Sequence, residues 1–203
     1  MVAPFGSLGY SFRMHTILPE KDNPALRSIS RDIPHAQIKG PKIKKTIAEM
    51  KRLLAKEEFG VALAAVQLGE PVRLFIVSGK ALARGARNAS DLPAQAGEPE
   101  PNLPAGSSNL EPVPDLVFIN PQLLKVSRKK MDKHEGCLSI RGKWGEVPRA
   151  EKVTLQYTDE QGHKTQRGAS GFLAHIFQHE MDHLEGILYT DKTTALYDES
   201  DKK

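Results

Sequence analysis

Two rhythms of apolar residues run along this chain. Ile43, Ile47, Met50 and Leu54 recur every three or four residues with lysines between them. That spacing predicts an amphipathic helix over residues 42–58, with Pro41 in its first turn. The run Val-Arg-Leu-Phe-Ile-Val at 72–77 predicts a buried strand instead. A further strand is predicted at 116–120, broken by Pro121, and another at 122–127. Residues 153–158 alternate in the manner of a strand, 159–162 supply a turn, and 164–167 return as the partner. Residues 23–34 carry Asn, Pro, Ser and Asp and read as a loop. Ser170 and Gly186 bracket the last long helix as N-cap and C-cap. Short strands followed by a long helix predict an α+β fold, with small antiparallel sheets packed around that C-terminal helix. Between 79 and 115 the pattern dissolves into Pro, Gly, Ala, Ser and Asn, and six of the chain's 14 prolines fall there, which predicts an irregular insertion. No internal repeat is evident.

Composition narrows the class without fixing it. The 203 residues, 39% of them hydrophobic, suffice for one domain over 1–203 with a sizeable core. Residues 1–16 form an N-terminal extension in this reading, and Met14 is an alternative start. The formal charge of +4 is spread along the chain with mixed signs, and no nucleic-acid-reading motif accompanies it. The single cysteine excludes an internal disulfide framework and suits a reducing compartment. No apolar run approaches the roughly 20 residues that cross a bilayer, and residues 1–18 lack the continuous apolar segment of a signal peptide. These features predict a cytoplasmic protein.

The candidate chemistry lies in Gln178-His179-Glu180-Met181-Asp182-His183. Two histidines four residues apart share one helix face, about 5–6 Å apart at Cβ. They can share a metal ion, with the intervening glutamate beside its open position. Alone, H-E-x-x-H fits metal binding and a pair of ordinary helix histidines equally well. Upstream stands Glu135-Gly136-Cys137-Leu138-Ser139, with the only cysteine. One thiolate and two imidazoles make three protein ligands, which leaves a fourth position for water and marks a catalytic site.

With Gly60-Val61-Ala62-Leu63-Ala64-Ala65-Val66-Gln67, these two segments make three motifs in order, and over residues 17–191 the sequence resembles the peptide deformylases. The segment Val147-Pro148-Arg149-Ala150 and the hairpin before the last helix add to the likeness. The resemblance implies Cys137, His179 and His183 as metal ligands and Glu180 as general acid and base. It implies Gln67 and the backbone N–H of Leu138 as donors to the formyl oxygen. It further implies one divalent ion, Fe(II) in the cell, with Zn, Ni or Co as substitutes. The implied substrates are N-formylmethionyl peptides of newly made proteins, deformylated by a monomer in transient contact with the ribosome. Phe172, His175 and Ile176 would wall the methionine pocket, although plain core is an equal reading for Phe172 and Ile176. His175 is spaced like a third ligand, a role Cys137 already fills. Gly60, Val61, Ala62 and Gly136 would border the substrate, and Trp144, in a loop at 141–146, would flank the cleft. Glu135 and Asp182 could orient ligands or be ordinary surface carboxylates, and Arg149 could pair with Glu135. His134, His163, His15 and His35 read as bystanders. The chain departs from the family pattern at Ala62, where glycine is usual, so a methyl group stands beside the expected substrate strand. Two rivals stay open: a metallopeptidase, since H-E-x-x-H serves both, and a drifted metal-binding relative without efficient turnover.

Overall fold

The computed structural model describes residues 16–85 and 113–198. Its elements are α1 (His35–Ile38), α2 (Pro41–Leu54), β1 (Ala62–Ala64), β2 (Leu74–Val77), α3 (Gly79–Gly85), β3 (Leu116–Val126), β4 (Lys130–Cys137), β5 (Ile140–Ala150), β6 (Lys152–Thr158), β7 (Lys164–Ser170), α4 (Gly171–Leu184) and β8 (Ala195–Asp198). They form two antiparallel sheets, one ordered β1-β2-β3-β6-β7 and the other β4-β5-β8. This is the expected α+β architecture, with α4 against strands of both sheets.

The larger sheet is apolar on both faces. Phe75, Val77, Ala62, Ala64 and Phe118 point towards α4, where they meet Leu173, Phe177, Met181 and Leu184. Leu74, Ile76, Leu63, Val117 and Ile119 point the other way, onto Ile43, Ile47, Met50 and Leu54 of α2. Burial on both sides explains why β2 reads as a continuous apolar run and not as an alternation. Aromatic rings close the first face. Phe118 stacks on Phe75 at 4.6 Å and meets Phe177 edge-on at 4.9 Å, while Tyr157 lies 4.4 Å away.

Several expected boundaries move. The helix at 42–58 ends at Leu54, where Lys56 and Glu57 turn off with N–H bonds to Leu53 and Leu54. The strand at 72–77 begins at Leu74, because Val72 and Arg73 bridge to Arg31 instead. Pro121 does not break the next strand, and β3 runs through it with a register shift between Ile119 and Gln122. A bulge tolerates a residue with no N–H to give. Asn120 takes a φ of 49° there, and its amide is held to Ile33 N–H and C=O at 2.8 Å each. Residues 79–85 are helical where an irregular segment was expected. Gly79 starts that helix close against residue 113, and a Cβ on it would lie 1.6 Å from the Val113 carbonyl oxygen. The rest of the expected insertion, 86–112, lies outside the described residues, as do most of the N-terminal extension and His15. The β7 strand extends past Arg167 to Ser170, which is the N-cap residue of α4, and Gly186 follows its end with a φ of 71°. The expected loop at 141–146 is part of β5.

Candidate metal centre and active site

Three elements converge on one end of a cleft of about 580 Å³. The β4 strand ends at Cys137, the helix α4 brings His179 and His183 on one face, and the turn after β1 brings Gln67. The Cys137 Sγ and one ring nitrogen of each histidine all lie within 4.8 Å of one another. His183 Nε2 is 3.3 Å from the sulfur, and the two imidazoles stand nearly perpendicular at 4.8 Å. One sulfur and two nitrogens at such separations match the donor set of a tetrahedral catalytic site. The residues therefore fit a single divalent ion.

Surrounding groups fix these donors. His179 Nδ1 meets the Glu135 carboxylate at 2.7 Å, which directs its other nitrogen to the sulfur. Glu135 also accepts from Arg149 Nε at 2.6 Å and Nη2 at 2.9 Å, and from His175 Nε2 at 2.7 Å. Arg149 reaches on to Asp182, whose other oxygen binds Lys192 at 2.6 Å. Glu135 and Asp182 are thus partners within the site and not surface carboxylates. Burial works against a charge on Glu135, yet the Arg149, His175 and His179 donors hold its carboxyl well below the ordinary range. Burial likewise opposes an imidazolium at His179, but Cys137 and Glu135 on either side outweigh it and hold its pKa well above the usual value. The point where the donors meet attracts positive charge. Burial keeps the His183 pKa far down, which suits a neutral ligand.

Glu180 is buried beside the donors, and its Oε2 has no hydrogen-bond partner among the described residues. Burial pushes its carboxyl up to about 7. A group that titrates near neutrality can both take and give a proton. Gln67 is set by its neighbours: its Oε1 accepts from Ala64 N–H at 2.8 Å, so its Nε2 must face the site. That nitrogen donates to Ser139 Oγ at 3.3 Å and lies 3.5 Å from the Cys137 sulfur. Leu138 follows Cys137 at the tip of the β4–β5 hairpin.

The same cleft is lined by Gly60, Val61, Ala62, Gly136, Trp144, Phe172, His175 and Ile176. Of this group Ile176 is core as well, whereas Phe172 is 39% exposed. Trp144 stands on β5, and a Cβ on Gly136 would meet its ring at 3.3 Å. Gly136 therefore lets the indole lie across the strand. His175 bonds Glu135 and is not one of the converging donors. His134 also lines the cleft and bonds the Tyr197 hydroxyl, so it is not without a partner. His163 and Asp159 pair across the β6–β7 turn, and His35 meets Gly162 O at 3.2 Å. Sequence reasoning gave no role to Ser139, which holds Gln67, or to Tyr189, whose ring stacks on His179 at 6.2 Å. Ser139 lies inside a recognised motif, but its partner is 72 residues away. No signal in the sequence singles out Tyr189.

Comparison with known proteins agrees with this geometry. The sequence matches the family model described as Polypeptide deformylase over residues 14–199. It is 36% identical to the peptide deformylase of Roseiflexus sp. (strain RS-1), over 86% of each chain. Among solved structures, the peptide deformylase of Thermotoga maritima superposes with a TM-score of 0.66 at 25% identity, covering 88% of this chain and 97% of that one. The Met-Ala-Ser-bound class I type b peptide deformylase of Acinetobacter baumannii gives a TM-score of 0.66 at 26% identity, covering 87% of this chain and 96% of that one. The chain belongs to the polypeptide deformylase family.

Proposed function

We propose that this chain hydrolyses the formyl group from N-formylmethionyl peptides at the centre formed by Cys137, His179 and His183. Family membership supports the reaction, and the carrying observation is the convergence of one sulfur and two ring nitrogens next to Glu180 and Gln67. A divalent ion there, Fe(II) in the cell with Zn, Ni or Co as substitutes, supplies Lewis acidity that polarises the carbonyl and acidifies water to a pKa of about 7. Glu180 accepts the proton of the attacking water and returns it to the departing amine. Gln67 Nε2 and the Leu138 N–H receive the carbonyl oxygen as it gains charge, each donor contributing about 3 kcal/mol in the transition state. The products are formate and a free amino terminus.

The edges of the two sheets support a track for the peptide. β1 and β4 are edge strands of separate sheets, and both border the cleft. An extended peptide can add to such an edge through its main chain. Gly60, Val61 and Gly136 lie along that track. The Ala62 side chain joins the core below the sheet and is only 6% exposed. Strand side chains stand perpendicular to the plane in which edge groups bond, so this methyl leaves the outer edge open. Phe172, His175 and Ile176 receive the methionine side chain, and Trp144 flanks it. Among the described residues no helix is long and apolar enough to cross a membrane. We place the enzyme in the cytoplasm, acting as a monomer on nascent chains in transient contact with the ribosome.

The test is an anaerobic assay of formate release from formyl-Met-Ala-Ser with added iron, nickel or zinc. Glu180→Ala should keep its metal and lose about 10²–10⁴ in kcat. Undiminished turnover in that variant would overturn the assigned role. Cleavage of an internal peptide bond without formate release would favour the metallopeptidase reading, and metal retention without turnover the drifted relative.

A further inference from the structure

Away from the metal end, the cleft wall is cationic. Lys133, Arg141 and Lys143 line it, flanked by the exposed ring of Phe59. Among the described residues its lining carboxylates are Glu135 and Glu180, both deep in the site. Glu135 is saturated by Arg149, His175 and His179. The three cations are not equivalent. Arg141 is held by Glu57 in a two-pronged pair of 2.8 and 3.1 Å, so it adds little net charge. Lys143 Nζ stands 3.7 Å from an oxygen of Asp198, and both side chains are about half exposed, at 49% and 60%. Lys133 is half-buried in the wall and makes no ion pair among the described residues. A partly buried ammonium with no counter-charge leaves a local field to be met by a ligand.

Its place on β4 sets what it can meet. Lys133 and Glu135 alternate onto one face of the strand, and a register shift separates Glu135 from Cys137. Four residues of extended chain put the Lys133 Cα no more than about 13 Å from that of the sulfur ligand. A peptide with its formyl group at the metal end advances about 3.3 Å per residue along that edge. A side chain on its second or third residue then comes within reach of the ammonium. We infer that Lys133 is a specificity-determining residue, favouring formylated peptides with an acidic side chain at the second or third position, and that Lys143 assists more weakly. This rests on the deformylase reading and extends it from the formylmethionine to the next two residues of the peptide.

The test compares kcat/KM for formyl-Met-Glu-Ser and formyl-Met-Ala-Glu with that for formyl-Met-Lys-Ser and formyl-Met-Ala-Lys, taking formyl-Met-Ala-Ser as reference. Partly exposed charge pairs predict a Glu-over-Lys ratio of about five- to tenfold at low ionic strength, falling towards unity at about 0.5 M salt. Lys133→Glu should invert the ratio and Lys133→Gln should nearly abolish it. Lys45→Glu, an equal change of net charge on the exposed side of α2, should leave the ratio where it was. A wild-type ratio within twofold of unity, a preference for lysine, or an unchanged ratio in both Lys133 variants would overturn the inference while leaving the deformylase reading intact. No formate from any peptide, with metal bound, would overturn both.

Discussion

The two sheets are built on opposite terms. The five-stranded sheet is sandwiched between α2 and α4, and its central residues Phe75, Ile76, Phe118 and Ile119 are fully buried. The three-stranded sheet is largely exposed along β4 and β8, and its buried side chains include Glu135 and Arg149. The first is held by apolar area, which is non-directional and tolerant of small shifts. The second is fastened to α4 by hydrogen-bonded charges, which fix direction at the cost of desolvation. A metal site needs direction. Cys137 arrives from the polar sheet and the histidines from the helix that seals the apolar one, and the Glu135–Arg149–Asp182 network joins the two.

Breaking each side should give different signatures. The largest loss of stability is expected from Phe118→Ala, which removes a ring packed on Phe75, Tyr157 and Phe177. It should cost about 3–5 kcal/mol, read as a lower denaturant midpoint. Arg149→Met comes next. It leaves Glu135 and Asp182 without their buried cation, for a comparable cost of about 3–5 kcal/mol. Unlike the Phe118 change, it should also weaken metal affinity by about 10–100-fold, measured by competition with a chelator in the folded state. If Arg149→Met destabilises the protein and leaves metal affinity untouched, the network does not orient the ligands.

Smaller changes sharpen the contrast. Ser139→Ala removes one hydrogen bond to the Gln67 amide and should lower kcat/KM by about fivefold, with metal content unchanged. The smallest effect belongs to the β6–β7 turn of the apolar sheet. Burial acts to raise the Asp159 pKa, but the N–H groups of His163 and Gln161 prevail and lower it. A folded pKa below the unfolded one gives stability that is present above the ordinary carboxylate range and is lost as pH falls through the folded value. Asp159→Asn should therefore flatten the acid limb of a Tm-against-pH curve below about pH 4. An acid limb of unchanged slope would remove Asp159 from the account.

Legibility in the sequence obeys the same division. The helix α2, the run in β2 and the β6–β7 hairpin can be read because burial marks their residues, with a helical period in α2, an unbroken apolar run in β2 and alternation in β6. The strands β4 and β5 cannot: Lys130-Met131-Asp132-Lys133-His134 is exposed or half-exposed, and main-chain pairing alone makes it a strand. Trp144 consequently reads as a loop residue. Pro121 misleads because a bulge accommodates it without ending β3. At the site, the donor trio and Glu180 are written in motifs whose spacing is local chemistry. The Ser139–Gln67 bond, the stacking of Tyr189 and the exposure of Lys133 to the cleft depend on tertiary placement, which no local pattern encodes.

The central claim is that Cys137 of the polar sheet and the two imidazoles of α4 hold one ion between them. Metal content and ligand environment, measured by elemental analysis and X-ray absorption on wild type and on folded Cys137→Ser after dialysis against a chelator, test it most directly. The account predicts a sulfur scatterer at about 2.3 Å in the zinc-loaded wild type, and loss of tight metal retention in the variant. A Cys137→Ser protein that keeps its full metal complement, or a wild-type ion with no sulfur neighbour, would contradict it.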